Sequence, residues 1–261
     1  MVDVNVRKDI IEGLELFDIH NPPTDIIVYK PEINLKYYSF ELGEHRNWTK
    51  IQQLPPVMIY DNPVGYTSEE IITYFTSIHK KYEPDDSLVI GYGSDSKFGL
   101  SDDKQVAHYL LVAFSKDNLE QPIGFSNINM HLNYPKDEAE FDYSYCNLTI
   151  EYKFDYVSPE FRGLGYGFAL AKKRGEICVE QLHHLLGKLK GTDIVLNPAP
   201  ESDLESSGGN NLAKISNGVI EEYIDMIGES SDDDVDANNV NQLSFNAGFF
   251  PDEINTLLGG I

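Results

Sequence analysis

The sequence predicts a mixed α/β fold, and three observations carry that expectation. Residues 145–157 alternate apolar and polar side chains over a full strand length. A cluster of glycines follows at once, and a long amphipathic pattern begins there. Ahead of them, two apolar runs joined by a short polar connection read as a hairpin.

Taken in order, the first 60 residues contain strand-like runs at 26–29, 35–42 and 57–60, separated by Pro22, Pro23, Pro31, Pro55 and Pro56. Residues 67–82 read as a helix: Thr67 can cap it, Glu69 and Glu70 occupy the first turn, and Ile71, Ile72, Phe75 and Ile78 form a stripe. Residues 88–92 are a possible strand before a polar loop at 93–103. The hairpin is 108–114, a connection at 115–121, and 122–130.

In the strand at 145–157, Cys146, Leu148, Ile150, Tyr152, Phe154 and Tyr156 are expected on one face. Asn147, Thr149, Glu151, Lys153 and Asp155 are expected on the other. Ser158-Pro159 ends the ladder, because proline has no N–H to donate. From about Gly163, residues Phe168, Ala171, Gly175, Cys178, Leu182, Leu185, Leu186 and Leu189 mark a helix that Gly191 closes. A short strand at 193–196, a loop at 197–211, a second amphipathic helix and a solvated acidic run at 229–236 complete the chain.

At 261 residues, with 41% apolar and 11% aromatic side chains, the chain is long and apolar enough for a core of its own. Its 43 Asp and Glu against 20 Lys and Arg leave a net charge of -23. Such a field repels nucleic acid and anionic membrane surfaces and attracts cationic partners. The bland alternative is that the charge serves solubility. Cys146 and Cys178 are too few for a disulfide framework and fall on apolar stripes. With charges near the N-terminus and no run long enough to span a bilayer, the expectation is a cytoplasmic protein. The adjacent His183 and His184 point apart on a helix and have no ligand partner at i+4, so no metal site is expected there.

The segment Val157-Ser-Pro-Glu-Phe-Arg162-Gly163-Leu164-Gly165-Tyr166-Gly167 carries the chemistry. Glycines at a helix start sacrifice propensity, and close approach of a phosphate to backbone N–H groups is one reason to accept that. Arg162 adds a permanent cation. A dinucleotide fingerprint fails on spacing, and Gly187-Lys188 is followed by Leu189 where a P-loop needs Ser or Thr. Arg162-x-x-Gly165-x-Gly167, with the preceding Val157-Ser-Pro-Glu, resembles motif A of the GNAT acetyltransferase superfamily. The resemblance covers about residues 107–197, within a domain taken as 67–261 behind an N-terminal elaboration at 1–66.

The resemblance implies a GNAT-type acyl-CoA N-acyltransferase fold. It implies acetyl-CoA as co-substrate, no metal, and a primary amine as acceptor. Tyr156 and Val157 would hold the pantetheine arm, and Arg162, Gly163, Leu164, Gly165, Tyr166 and Gly167 would cradle the pyrophosphate. Glu151, fourteen residues before Gly165, stands where relatives of the histone-modifying branch carry a glutamate base. Asp155 is the reserve, and a solvated strand face is the alternative for both. The tyrosine acid of many family members precedes a Gly-Phe pair. Here Gly248-Phe249 has Ser244 at that place, which leaves Tyr223 as candidate acid or as a core residue on its apolar stripe. An acyl-CoA-binding sensor without transfer activity and an acidic interaction module remain the competing functions.

Overall fold

Antiparallel pairing of the hairpin with the long alternating strand builds the middle of the molecule. The glycine-led helix then carries the chain across to a parallel neighbour. The computed structural model describes residues 3–19, 57–60, 68–82, 99–115, 118–135, 142–203, 207–229, 234–243 and 246–248. In chain order the elements are α1 (Val4–Glu12), β1 (Val57–Tyr60), α2 (Ser68–Tyr82), β2 (Gly99–Leu100), β3 (Val106–Ser115) and β4 (Asn118–Asn133). They continue with β5 (Tyr145–Val157), α3 (Tyr166–Leu189), β6 (Val195–Asp203), α4 (Ser207–Glu229) and β7 (Asn246–Gly248). One mixed sheet has the order β1-β3-β4-β5-β6-β7, with β2 beside β3. Pairing is antiparallel from β1 to β5 and parallel for β5–β6 and β6–β7. A parallel pair needs a crossover, and α3 supplies it for β5 and β6.

One face of the sheet is covered by α3 and α4. Their Leu182, Leu186, Val219 and Ile220 join a core with Tyr109, Leu111, Ile128, Met130, Leu148 and Ile150. Ile11 and Leu14, around the end of α1, pack into the same core, and Arg7 ties α1 to Asp193 through bonds of 2.9 and 2.6 Å. On the opposite face α2 covers one end, with Ile71 and Phe75 against Leu110, Val112, Phe114, Phe125 and Tyr156. Thus α1 and β1, both inside residues 1–66, belong to the same core and sheet as the rest.

The alternation along β5 does not persist to its end. Asn127 pairs with Phe154 and Ile128 with Tyr152, so Lys153 is an extra residue in a β-bulge. Side chains after the bulge change face. Tyr156 therefore joins the α2 side rather than the side of Cys146 to Tyr152, and Asp155 turns toward α3.

Two element boundaries also differ from expectation. Helix α3 starts at Tyr166, because Gly163 and Gly165 have φ of 81° and 91° and a 3-10 turn occupies Pro159–Phe161. Residues 197–203, expected as loop, extend β6, and α4 begins at Ser207. Pro198 and Pro200 are tolerated because Leu196 directs its carbonyl away from β5, to Asn241 N at 3.1 Å. Backbone groups alternate sides, so the prolines' missing donors face that same side rather than the ladder with β5. The end of the acidic run also packs: Val235 is buried in the core, and Asp236 caps a turn at Ala237–Asn239. The strand readings at 26–29, 35–42 and 88–92, and Ser244 and Phe249, lie outside the described residues. Among the described residues no helix is long and apolar enough to cross a membrane, and no group of His, Cys, Asp or Glu is arranged to hold a metal ion.

Candidate active site

The glycine-rich junction lies where β5 outruns β6. The recorded β5–β6 pairing stops at Tyr152 with Ser202, while β5 continues to Val157 paired with β4 alone. Lys153 to Val157 therefore extend past the end of that pairing, and Arg162 Nε donates to Val157 O on this side at 3.0 Å. Backbone groups of a strand edge past its pairing can bond an extended, amide-bearing chain as an added strand would. Gly124 permits the β4–β5 approach beneath it, since a Cβ there would come within 2.6 Å of Tyr156 O.

Beyond the edge the chain turns through Gly163 and Gly165, both in the left-handed region that glycine adopts without strain. A Cβ on Gly163 would meet nothing within 4 Å, so conformation rather than crowding requires glycine there. Gly167 has the other reason: a Cβ would lie 3.3 Å from Leu212 Cδ2, which makes it a packing residue for the α3–α4 contact. The first intrahelical bond outside the ladder runs from Ala169 N to Gly165 O at 3.0 Å. Among the described residues no acceptor meets the amides of Gly163, Gly165, Tyr166 or Gly167. These N–H groups and the helix dipole together favour an anion.

The flanking side chains are positioned by packing. Arg162 lies back over the junction, its Nε donating to Val157 O at 3.0 Å and its guanidinium 5.9 Å from the Tyr156 ring centre. Tyr156 is buried against Phe75 and Phe125. Tyr166 is buried edge-on to Phe161, whereas Leu164 is 54% exposed at the tip of the turn. Tyr82 at the end of α2 donates to Glu160, so α2 braces the 3-10 turn from the other side.

The catalytic candidates do not converge. Glu151 sits on the α2 side of the sheet, beyond the part that α2 covers. Its Oε2 accepts from Asn129 Nδ2 at 3.2 Å and from Lys153 Nζ at 3.0 Å, and His131 Nε2 lies 3.5 Å away. Partial burial pushes its pKa up, but the bonds from Lys153 and Asn129 and the nearby positive charge outweigh that, so the carboxyl lies below its ordinary value. Asp155 faces α3 instead. It accepts two bonds from Arg174 Nη1, at 2.9 and 2.8 Å, and Ser126 Oγ shares that nitrogen at 3.1 Å. Arg174 is fully buried, also donates to Ser216 Oγ at 2.9 Å, and lies 4.0 Å from the Tyr152 ring centre. Asp155 is thereby committed to an interior ion pair.

Tyr223 is likewise interior, its hydroxyl 2.9 Å from His183 Nδ1 in the contact between α3 and α4. It belongs to the helical side of the sheet and Glu151 to the other.

The site also contains residues that the sequence reading did not single out. His108 Nδ1 lies 2.7 Å from Asn129 Oδ1, and the His108 and His131 rings meet edge-on at 5.9 Å. Their signal was present as polar positions within the apolar hairpin strands. Only the register His108–Asn129–Glu151 across β3, β4 and β5 brings them together. Compared with family models, curated proteins and solved structures, the chain matches none.

Proposed function

We propose that this protein transfers an acyl group, with acetyl as the first candidate, from acyl-CoA to a primary amine. The single observation that carries the reading is the junction at the end of β5. There the end of β5 beyond its pairing with β6, Lys153–Val157, leads within a few residues into two left-handed glycines and the amides that open α3. The edge suits the two amides of a pantetheine arm, and the helix start with Arg162 suits a pyrophosphate. Both requirements belong to the same ligand, and they occur in the order that ligand needs.

The acceptor side of the reading rests on Glu151 and the polar side chains around it. A half-buried carboxylate beside imidazole and amide groups attracts an ammonium and offers a path for its proton. Burial of Tyr223 against His183 favours a second reading, a protein that binds acyl-CoA without transferring its acyl group.

Thermal unfolding with and without CoA tests the shared part, because a ligand that binds only the native state raises Tm by mass action. CoA is expected to raise Tm, and Gly165→Asp is expected to abolish the rise by adding strain and negative charge at the phosphate position. A folded Gly165→Asp protein with the full shift would move the ligand elsewhere. Thiol release from acetyl-CoA with an amine panel then separates transfer from binding alone.

A further inference from the structure

We propose that Arg174 Nη2 holds the thioester carbonyl oxygen of the co-substrate and stabilises the charge which that oxygen gains during transfer; the proposal rests on the acyl-transfer reading. A guanidinium carries five N–H donors in a planar fork. In Arg174, Nε spends its hydrogen on Ser216 Oγ at 2.9 Å. Nη1 spends its two on the Asp155 carboxylate, at 2.9 and 2.8 Å, and on Ser126 Oγ at 3.1 Å. Both hydrogens of Nη2 remain, because that nitrogen is buried and meets no acceptor among the described residues. Buried polar groups are nearly always paired, and an unmet donor on a charged group is the costliest kind. A donor fixed in place by three other partners suits an acceptor that arrives with the substrate.

Contacts on both sides of the point where the β5–β6 pairing ends set its position. The guanidinium lies 4.0 Å from the ring centre of Tyr152, the last β5 residue in the recorded pairing with β6. It also bonds Asp155, within the Lys153–Val157 segment that continues past that pairing. Arg174 therefore covers residues 152–155 from the α3 face of the sheet. Nη1 is turned to β4 through Ser126, and Nη2 shares the other edge of the fork with Nε, toward Ser216 of α4. The surroundings are fixed as well: Ser216 Oγ donates to Ala171 O at 2.8 Å, and the Tyr152 hydroxyl donates to Asn217 Oδ1 at 2.7 Å. A co-substrate with its pyrophosphate at the glycine turn and its arm along Lys153–Val157 runs its thioester end toward Tyr152, where this guanidinium stands. Glu151, on the acceptor side, lies on the opposite face, so amine and Arg174 approach the carbonyl from different sides.

The step balances as follows. The acceptor ammonium gives one proton to water. The freed lone pair forms the N–C bond, and the C=O π pair moves onto oxygen, to which Nη2 donates. That pair then returns, the C–S bond breaks, and a second proton from nitrogen goes to the departing CoA sulfur. Arg174 neither gains nor loses a proton.

The test uses the full chain with acetyl-CoA carrying carbon-13 at the carbonyl, and spermidine, a lysine-bearing peptide and ethylamine as acceptors. Infrared difference spectra of the bound co-substrate are expected to show the carbonyl band at lower frequency than in solution. The double variant D155L/R174M removes both charges of the pair together. It is expected to keep the CoA-dependent Tm shift, lower kcat about 100- to 1,000-fold, and return the band to its solution position. R174K leaves a cation for Asp155 but no second nitrogen, so a similar loss is expected and the test stands if the double variant does not fold. Wild-type kcat in either folded variant, or an unshifted band in the wild-type protein, overturns the assignment and leaves acyl transfer standing. Loss of the Tm shift in R174K together with its turnover overturns it in favour of a grip on the arm's amides. A wild-type Tm shift without thiol release overturns it in favour of binding alone. Absence of both in the wild-type protein overturns the acyl-CoA reading and this inference with it.

Discussion

At Gly165 the backbone has φ of 91°, where any side chain is strained, and the same residue caps the helix whose amides face the proposed pyrophosphate. Left-handed geometry costs an L-residue roughly 1–2 kcal/mol. Gly163 shares the geometry but has open space around a Cβ, so Gly163→Ala tests strain without crowding. We expect Gly163→Ala to lower stability by about 1 kcal/mol in urea unfolding; no loss would mean that the turn relaxes. Glu151 makes a different residue-scale prediction. Its pKa is held below the unfolded value of about 4.3, so its interactions stabilise the fold above that pH and fade as pH falls through the folded value. The Tm gap between wild type and Glu151→Gln should be widest near neutrality and shrink in acid below about pH 4. A gap that widened in acid would contradict the depressed pKa.

Among the elements, β5 depends most on its contacts. The bulge at Lys153 turns Asp155 toward α3, where Arg174 receives it, and both helices close over the pair. The helices approach closely there: a Cβ on Gly175 would lie 2.6 Å from Val219 Cβ and 2.8 Å from Ser216 O. Asp155 retains 13% side-chain exposure and Arg174 none, so removing the carboxylate strands a buried cation. Asp155→Leu should destabilise by about 3–5 kcal/mol, and the double change Asp155→Leu with Arg174→Met should recover much of the loss. Denaturant unfolding of the two single mutants and the double mutant measures the coupling. Additive losses would show that the pair contributes little to holding the bulged end of β5.

Across the whole molecule, the net charge of -23 sets a long-range field. It acts over roughly 8–10 Å at physiological ionic strength and shortens as salt rises. Under the acyl-transfer reading, kcat/KM for spermidine should fall with added salt more steeply than for an arylamine that is neutral at the assay pH. Apparent affinity for CoA should change in the opposite sense, because screening lets an anion approach an acidic protein. Steady-state kinetics at several salt concentrations separate the two. A salt-insensitive acceptor would mean that the charge serves solubility alone.

Local pattern was sufficient wherever one residue's neighbours in sequence are also its determinants in space. The bounds of β5 followed from alternation closed by Ser158-Pro159, α3 from its apolar stripe, and the unusual helix entry from Gly163, Gly165 and Gly167. Tertiary structure alone decided what depends on pairing between distant segments. A bulge exists only relative to the opposite strand, so the change of face at Asp155 and Tyr156 could not be read along β5. Pro198 and Pro200 looked like loop residues until the sheet showed that their missing donors point away from the β5 ladder. Tyr223 was ambiguous on its stripe until His183 met it across 40 residues of chain. The row His108–Asn129–Glu151 joins residues 21 and 22 positions apart, and its chemistry comes from a hydrogen-bond order that no single strand contains. Periodicity tells which side of an element is buried, whereas register between elements tells which polar groups meet.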